Sequence, residues 1–419
     1  MIQKLLEFIK SHPQLVVAQD FELACQKTKI KKQQYLDGQP GIQSFDEGWW
    51  VQLKVLHRNK AGIAIGSALS ENTLDRLVGE ALLSAERSTR DPWFRFPVWS
   101  TRKEETIVSE AQTPSEGFWD SSWLLLEANR LPFQEWYEWS EIETVLYRRS
   151  EKLQKTYRRG AAHQQWSLGR CHESFWGEEN REKRIRQLQK AAVCLENAAQ
   201  WDLPRPSVFS ISGKAMSPIL QKVSSWFHAD AIQGKKSPLS GVEENAPIMS
   251  TGVTLSDDGS QIPSFLSGPF DLDGISEQRT PLVKEGQFKG ALYDAYSGGI
   301  DNRRSTGNRV RDFLDLEPKL RAKAMCLEPG SVSPEVFWKE MKNGFAISGW
   351  SRLEICSNRQ LEGDAFGWKV EDGSFVGAFR IEGIKWDLMD LMNRIVGVAS
   401  DSQKHGLSIS PTVFLKGTV

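Results

Sequence analysis

The stretch KGALYDAYSGGIDNRRSTGNRVRD, residues 289–312, decides how the rest of the chain is read. Tyr293 and Tyr296 bracket Asp294, Gly298 and Gly299 follow, and Thr306-Gly307-Asn308 lies among Arg303, Arg304, Arg309 and Arg311. The paired glycines permit positive φ or a close approach to another surface. So much Gly, Asn, Thr and Arg is wrong for a core helix. It suits a long shaped loop that presents backbone groups and guanidinium forks, although a plain solvated loop has the same composition. Upstream, Phe270-Asp271-Leu272-Asp273-Gly274 closes a polar segment, and residues 279–288 read as two strands joined by a tight turn at Glu285-Gly286.

Further pieces follow in a fixed order: FDLDGI at 270–275, PLVKEGQFKGALYDAYSGG at 281–299, STGNRVR at 305–311, EGDAFGWKVEDGSFVGAFRIEGIKWDLMDLMNRIVGV at 362–398 and SPTVFLKG at 410–417. This series resembles the TldD/PmbA family, peptidase-related proteins once called modulators of DNA gyrase. No one piece is specific; the order and spacing over the last half of the chain carry the resemblance. The first half agrees more loosely, in a strand hairpin and one helix.

A chain of 419 residues is long for one core and suggests two domains. Hydrophobic residues make up 39% and charged residues 26%, ordinary values for a globular protein. The net charge of −1 gives no general attraction to nucleic acid or to an anionic membrane. No run of 18 apolar residues is present, so no membrane contact is expected. Ile2, Leu5, Leu6 and Ile9 at helical spacing, interrupted by Lys4, Glu7 and Lys10, predict an amphipathic helix rather than a signal peptide. The five scattered cysteines, at 25, 171, 194, 326 and 356, have no CxxC spacing and suit reduced thiols in the cytoplasm. Sixteen tryptophans suit interfaces or cores equally.

In chain order, 15–18 reads as a short strand and 22–35 as an edge strand. Residues 49–56 and 61–65 alternate as a hairpin about Arg58-Asn59-Lys60. Ser70 is a good N-cap for a helix with Leu74, Leu77, Val78, Ala81, Leu82 and Ala85 on one face, and Leu69 with Leu74 fits the flanking staple. Residues 97–116 read as a connecting loop. Trp119, Trp123, Trp136 and Trp139 cluster around 124–126, and the basic run 148–159 reads as a solvated face. A helix is expected over 178–201, with Ile185, Leu188, Ala192, Leu195 and Ala199 periodic, and Leu203-Pro204-Arg205-Pro206 suggests a boundary. Residues 208–211 read as a strand, and 217–232 as a helix with Ser217 as N-cap and Pro218 in its first turn. Short strands at 345–349, 352–356, 367–370, 374–379 and 413–415, with a turn at Glu371-Asp372-Gly373, precede or surround a helix over 385–398.

The expected fold class is α+β: a sheet-and-helix domain over 1–201, then a β-rich domain over 202–419 that the resemblance implies is barrel-like. The resemblance also gives the helix at 217–232 its interest. In active members it carries His-Glu-x-x-x-His, two imidazoles holding zinc and a carboxylate acting as base on the metal-bound water. Such chemistry needs neutral nitrogen or thiolate ligands and one open position. Counting back from Ser240-Gly241, the motif falls on Leu220, Gln221 and Ser225. Leucine and serine do not replace imidazole, and glutamine accepts no proton as a base. His228 stands alone beyond them, His172-Glu173 has Gly177 where a second histidine belongs, and Cys356 is read as an ordinary thiol. No Gly-x-Ser-x-Gly occurs.

The expectation is therefore a PmbA-like (TldE-like) subunit with no catalytic residues, metal ligands or cofactor of its own. The resemblance implies that it pairs with a zinc-bearing TldD-like relative, or with itself, and that the pair acts on unfolded or modified peptides. Arg304, Asn308 and Arg311 are the expected substrate or partner contacts. Two alternatives stand beside this: a hydrolase with an independent site, and a binding protein associated with DNA gyrase, which the small net charge disfavours.

Overall fold

The computed structural model describes residues 2–99, 105–108, 114–122, 131–177, 181–201, 208–313, 315–356 and 359–416. Helix α1 (Ile2–Lys10) turns Leu5, Leu6 and Ile9 inward, as its spacing predicts. The first sheet contains β1 (Asp20–Leu36), β2 (Gln39–His57), β3 (Lys60–Gly66), β4 (Glu105–Val108), β5 (Phe133–Arg148), β6 (Leu153–Leu168) and β7 (Cys171–Trp176). Its order is β3-β2-β1-β5-β6-β4, with β7 also on β6. Helix α2 (Glu71–Arg87) begins as expected, with Ser70 Oγ accepting from the Thr73 amide. Its apolar face shares a core with Phe21, Leu23, Val51, Leu53 and Val55 of the sheet.

Three readings of this half change. Residues Pro13–Val17 form a 3-10 turn, not a strand, because Pro13 fixes the first position and the Leu15 amide bonds back to His12. β1 is no edge strand; β2 and β5 flank it along nearly its whole length. Residues 97–116, expected as a connecting loop, contain β4, parallel to β6. The residues at 123–130, around which the tryptophans were expected to cluster, lie outside the described residues.

Helix α3 (Arg181–Glu196) ends earlier than the periodicity suggested, and Ala199 belongs to β8 (Ala199–Gln200). Ile185, Leu188, Ala192 and Leu195 pack on Phe133, Trp166, Leu168, Phe175 and Phe366, which joins the first sheet to the elements beyond it. These begin with β9 (Val208–Ile211), α4 (Gly213–Ser224), α5 (Ala229–Gln233), β10 (Leu255–Asp257), β11 (Thr280–Lys284), β12 (Gln287–Phe288) and α6 (Ala295–Ile300). Next come β13 (Arg309–Val310), β14 (Lys319–Leu320), β15 (Met325–Leu327), α7 (Pro334–Glu340), β16 (Asn343–Ile355), β17 (Gln360–Glu371) and β18 (Ser374–Asp387). The chain closes with α8 (Leu388–Asn393), β19 (Ile395–Val398), β20 (Gln403–His405), β21 (Ser408–Ser410) and β22 (Val413–Leu415). Two larger sheets result, in the orders β12-β11-β10-β15-β21-β20 and β19-β22-β9-β16-β17-β18-β8. One large core lies between them and α4. The chain thus has the α+β class expected of it.

The helix expected over 385–398 is a short helix between two strands. β18 runs through Asp387, whose carboxylate caps the single short helix α8, and Ile395 already lies in β19. Leu388, Leu391, Met392 and Ile395 are all buried nonetheless; a strand–helix–strand path satisfies the same apolar spacing. None of the described helices is long and apolar enough to cross a membrane.

The hairpin and α2 approach closely at Gly62, where an added Cβ would lie 1.9 Å from the Ala81 carbonyl oxygen and 2.6 Å from the Ala85 amide nitrogen. Gly62→Ala is therefore expected to lower stability by about 1–3 kcal/mol. Urea unfolding measures it, and an unchanged midpoint would show that α2 can shift away freely.

Candidate functional site

Helix α4 starts four residues before the expected N-cap. Ser212 is the cap, its Oγ accepting from the Ala215 amide. Ser217 is instead buried within the helix and donates to the His405 carbonyl at 2.7 Å. Pro218 lies inside α4. The helix closes at Ser224, a 3-10 turn covers Ser225–Phe227, and α5 is separate. Leu220 is wholly buried in the large core. Gln221 is exposed, its Nε2 3.4 Å from Ser217 Oγ, and Ser225 Oγ donates back to the Lys222 carbonyl. These three positions do not fit a zinc site: one side chain is aliphatic and turned into the core, and the others are neutral. His228 forms a β-bridge with Leu292, and burial depresses its imidazole pKa. Cys356 is exposed and free at the end of β16. Among the described residues, no three His, Cys, Asp or Glu side chains converge as a metal-ligand group.

A different cluster forms at the start of α4. Strand alternation on β7 sends His172 outward and Glu173 inward. Glu173 Oε2 lies 2.5 Å from Lys214 Nζ, and its Oε1 lies 3.0 Å from Arg184 Nη1 and 3.3 Å from His405 Nδ1. Burial opposes the charge on Glu173, but Lys214 and His405 outweigh it and hold the carboxyl far below its usual range. A cleft of about 700 Å³ opens here between α3 and the α4 start, with Cys194, Trp368 and Asp401 also on its walls. Burial pushes the Cys194 thiol up to about 11, so it is no thiolate nucleophile at neutral pH. Sequence reasoning missed this site because Glu173 and His405 are 232 positions apart.

The 289–312 stretch is mainly loop, with one short helix, α6, and the two-residue strand β13. Asp294 and Ser297 form a reciprocal capping box for α6, and Gly298 and Gly299 lie inside it. Gly298 serves close approach: a Cβ there would meet the Arg303 carbonyl at 2.8 Å. Of the expected contact residues, Arg304 is exposed. Asn308 is buried; its amide donates to Asp257 Oδ2 at 2.6 Å and to the Arg321 carbonyl, and its oxygen accepts from Thr306. Arg311 bonds the Asp315 and Phe313 carbonyls and lies over the Trp50 ring, lining a small cleft with Asp46 and Glu47. The structure separates the three rather than joining them in one surface.

What holds this loop is a buried ionic cluster. Asp273 Oδ1 lies 3.0 Å from Lys54 Nζ of β2, and its Oδ2 accepts from the Ala295 amide. The same ammonium reaches Glu22, which also pairs with Arg148. Arg309 approaches Asp273 and Asp294, and its amide donates to Asp271. Trp99 and Lys155 bond the carbonyls of Asp273 and Gly274. Gly274, at φ +76°, passes so near Trp99 that a Cβ would lie 2.3 Å from the indole nitrogen. The basic run at 148–159 is therefore not a solvated face throughout: Arg148 and Lys155 are buried and hold the Asp271–Gly274 turn. Burial opposes the charge on Asp273 too, but Lys54 and Arg309 hold its carboxyl well below the ordinary range. Burial, then the Asp273 charge, raises that of Asp271.

The model of the PmbA/TldA metallopeptidase C-terminal domain matches residues 210–419, half of the chain. The chain belongs to the TldD/PmbA family. Full-length likeness of fold extends to TldE from Thermococcus kodakarensis, at 16% identity and a TM-score of 0.76, covering 100% of this chain and 99% of that one. A protein described as a modulator of DNA gyrase, from Thermotoga maritima, gives a TM-score of 0.82 at 16% identity with the same coverage. An uncharacterized protein of Methanocaldococcus jannaschii is 32% identical over 206 residues, 46% of this chain and 45% of its own length. A metalloprotease of that organism is 22% identical over 151 residues, 36% and 33% respectively. The chain thus spans less than half the length of these curated relatives.

Two outcomes test the buried polar groups behind this loop. Lys54→Met leaves Glu22 and Asp273 short of a shared cation in a buried setting, and is expected to lower unfolding free energy by about 3–5 kcal/mol; a loss under about 1 kcal/mol would show that water reaches these groups. The second concerns Asp257, which accepts from the Lys323 and Ala324 amides and from Asn308. Burial nevertheless raises its carboxyl from 3.8 to about 6. A group raised on folding stabilises below its unfolded pKa and loses that contribution as pH climbs through its folded value. Between pH 3.8 and about 6, the wild-type urea midpoint should fall relative to that of Asp257→Asn. Parallel curves would place the native carboxyl at its ordinary pKa.

Proposed function

We propose that this chain is the non-catalytic, TldE-like subunit of a two-chain peptidase. It pairs with a zinc-bearing TldD-type relative, or with a second copy of itself, and helps to form a chamber for unfolded or modified peptides. The observation that supports this is the side-chain set on α4. The helix is present in a family of metallopeptidase-related proteins, yet its motif positions carry a core leucine, an exposed glutamine and a serine bonded to its own helix. The exposed Arg304 is the residue of the 289–312 loop best placed to meet a peptide or partner.

A second reading has one observation in its favour. Glu173, Lys214 and His405 converge beside a cleft, which a hydrolase with its own site would need.

One experiment separates them. Untagged protein is assayed for zinc by mass spectrometry, then for cleavage of an unstructured peptide, alone and with a zinc-bearing family member. The expected result is no stoichiometric zinc and cleavage only in the mixture. Cleavage by the isolated chain that is lost in His405→Ala would support the second reading. About one zinc per chain, retained through dialysis and lost in His228→Ala or Cys356→Ser, would overturn the first.

A further inference from the structure

Helix α3 is rich in positive charge over its first ten residues. Between 181 and 190 it has Arg181, Lys183, Arg184, Arg186 and Lys190 against the single acid Glu182. Lys183, Arg186 and Lys190 are exposed, and their spacing of three and four places them on one face. Arg186 is paired with Glu182 at 2.6 Å. Lys183 and Lys190 have no acidic partner among the described residues.

That face lies between two hollows. The first is the cleft at the α4 start, of about 700 Å³; the second, of about 640 Å³, lies toward Trp176, Pro263 and Lys404. Both are bordered by Gln187 and Gln403, so they form one trough crossed by α3. Lys183, Arg184 and Lys404 line the second hollow with no acid among its described lining residues, and Arg186, Lys190 and Lys214 line the first. The two acids of the first hollow are engaged: Glu173 by Lys214 and Arg184, and Asp401 by the amide and hydroxyl of Thr412. Apolar wall is supplied by Ala191, Val193 and Trp368, and Val193 is 54% exposed.

We propose that this trough binds an extended acidic peptide segment with apolar residues between its carboxylates. A concave surface lined by one sign of charge concentrates the opposite sign, and a chain of net charge −1 shows such a surface only by local arrangement. Each hollow has the size of an ordinary ligand site. A single-stranded nucleic acid would need a series of aromatic platforms for its bases, and the described lining offers two tryptophans, Trp368 in the first hollow and Trp176 in the second. The inference concerns a different surface from the 289–312 loop and holds whether or not the chain needs a zinc-bearing partner.

The test uses the isolated full chain and fluorescence anisotropy. The probes are a fluorescein-labelled peptide alternating Glu with Leu or Phe, its twin with Lys for Glu, and a thymidine oligonucleotide of equal charge. The acidic peptide is expected to bind, more weakly as salt is raised, while the Lys twin does not. The double variant Lys183→Glu/Lys190→Glu should weaken binding about tenfold with circular dichroism and melting temperature unchanged. Should that variant misfold, the single exposed change Lys404→Glu serves, with a smaller loss in the same direction. Unaltered binding in folded variants would overturn the proposal. So would failure of the acidic peptide to bind, or tighter binding of the oligonucleotide than of the peptide.

Discussion

The ammonium of Lys54 stands between two buried carboxylates, Glu22 on β1 and Asp273 in the turn of the FDLDG segment. Buried charges persist only when paired and hydrogen-bonded. The turn is therefore bound to the first sheet by electrostatics as much as by shape. Arg148 completes the pairing of Glu22, Arg309 approaches Asp273 from the other side, and the Ala295 amide at the start of α6 takes the remaining oxygen. Removing any one of these cations leaves a buried carboxylate with one counterion in place of two. The 289–312 loop is shaped by this requirement rather than by an apolar core of its own.

A second polar knot lies behind the loop. Asp257, at the end of β10, gathers two backbone amides and the Asn308 side chain. This explains why a sequence that looks made for presenting groups outward turns much of its chemistry inward. Asn308 anchors, Arg311 lies over Trp50, and Arg304 is left at the surface. A loop built this way can be rigid with little regular secondary structure.

Helix α4 is held by polar caps and apolar packing alone: by Ser212 as cap, by Ser217 bonding to β20, and by Ile219, Leu220 and Val223 in the core. None of these interactions needs a metal. The site that does gather polar groups lies at the helix start, where Lys214 meets Glu173 from β7 and His405 from β20. It sits where three separate elements meet, beside the helix that joins the first sheet to the others.

How much could be read in advance follows from the range of each signal. The cap at Ser70, the face of α2, the inward residues of α3 and the hairpin turn at Glu285-Gly286 were all legible, since each depends on neighbours within a few positions. So was the lack of ligating side chains at 220, 221 and 225, which is a matter of composition. The 385–398 stretch was misread because burial at i, i+3 and i+4 fits a short helix between two strands as well as a long helix. Arg148 and Lys155 were misread because charge alone does not reveal a buried counterion. The sequence by itself determined the family, the α+β class and those local elements whose caps and faces lie within a few positions. Only the tertiary structure decided that Lys54 meets Asp273 across 219 positions and Glu173 meets His405 across 232. Periodicity reports whether a side chain faces in or out, but strand order and register choose its partner.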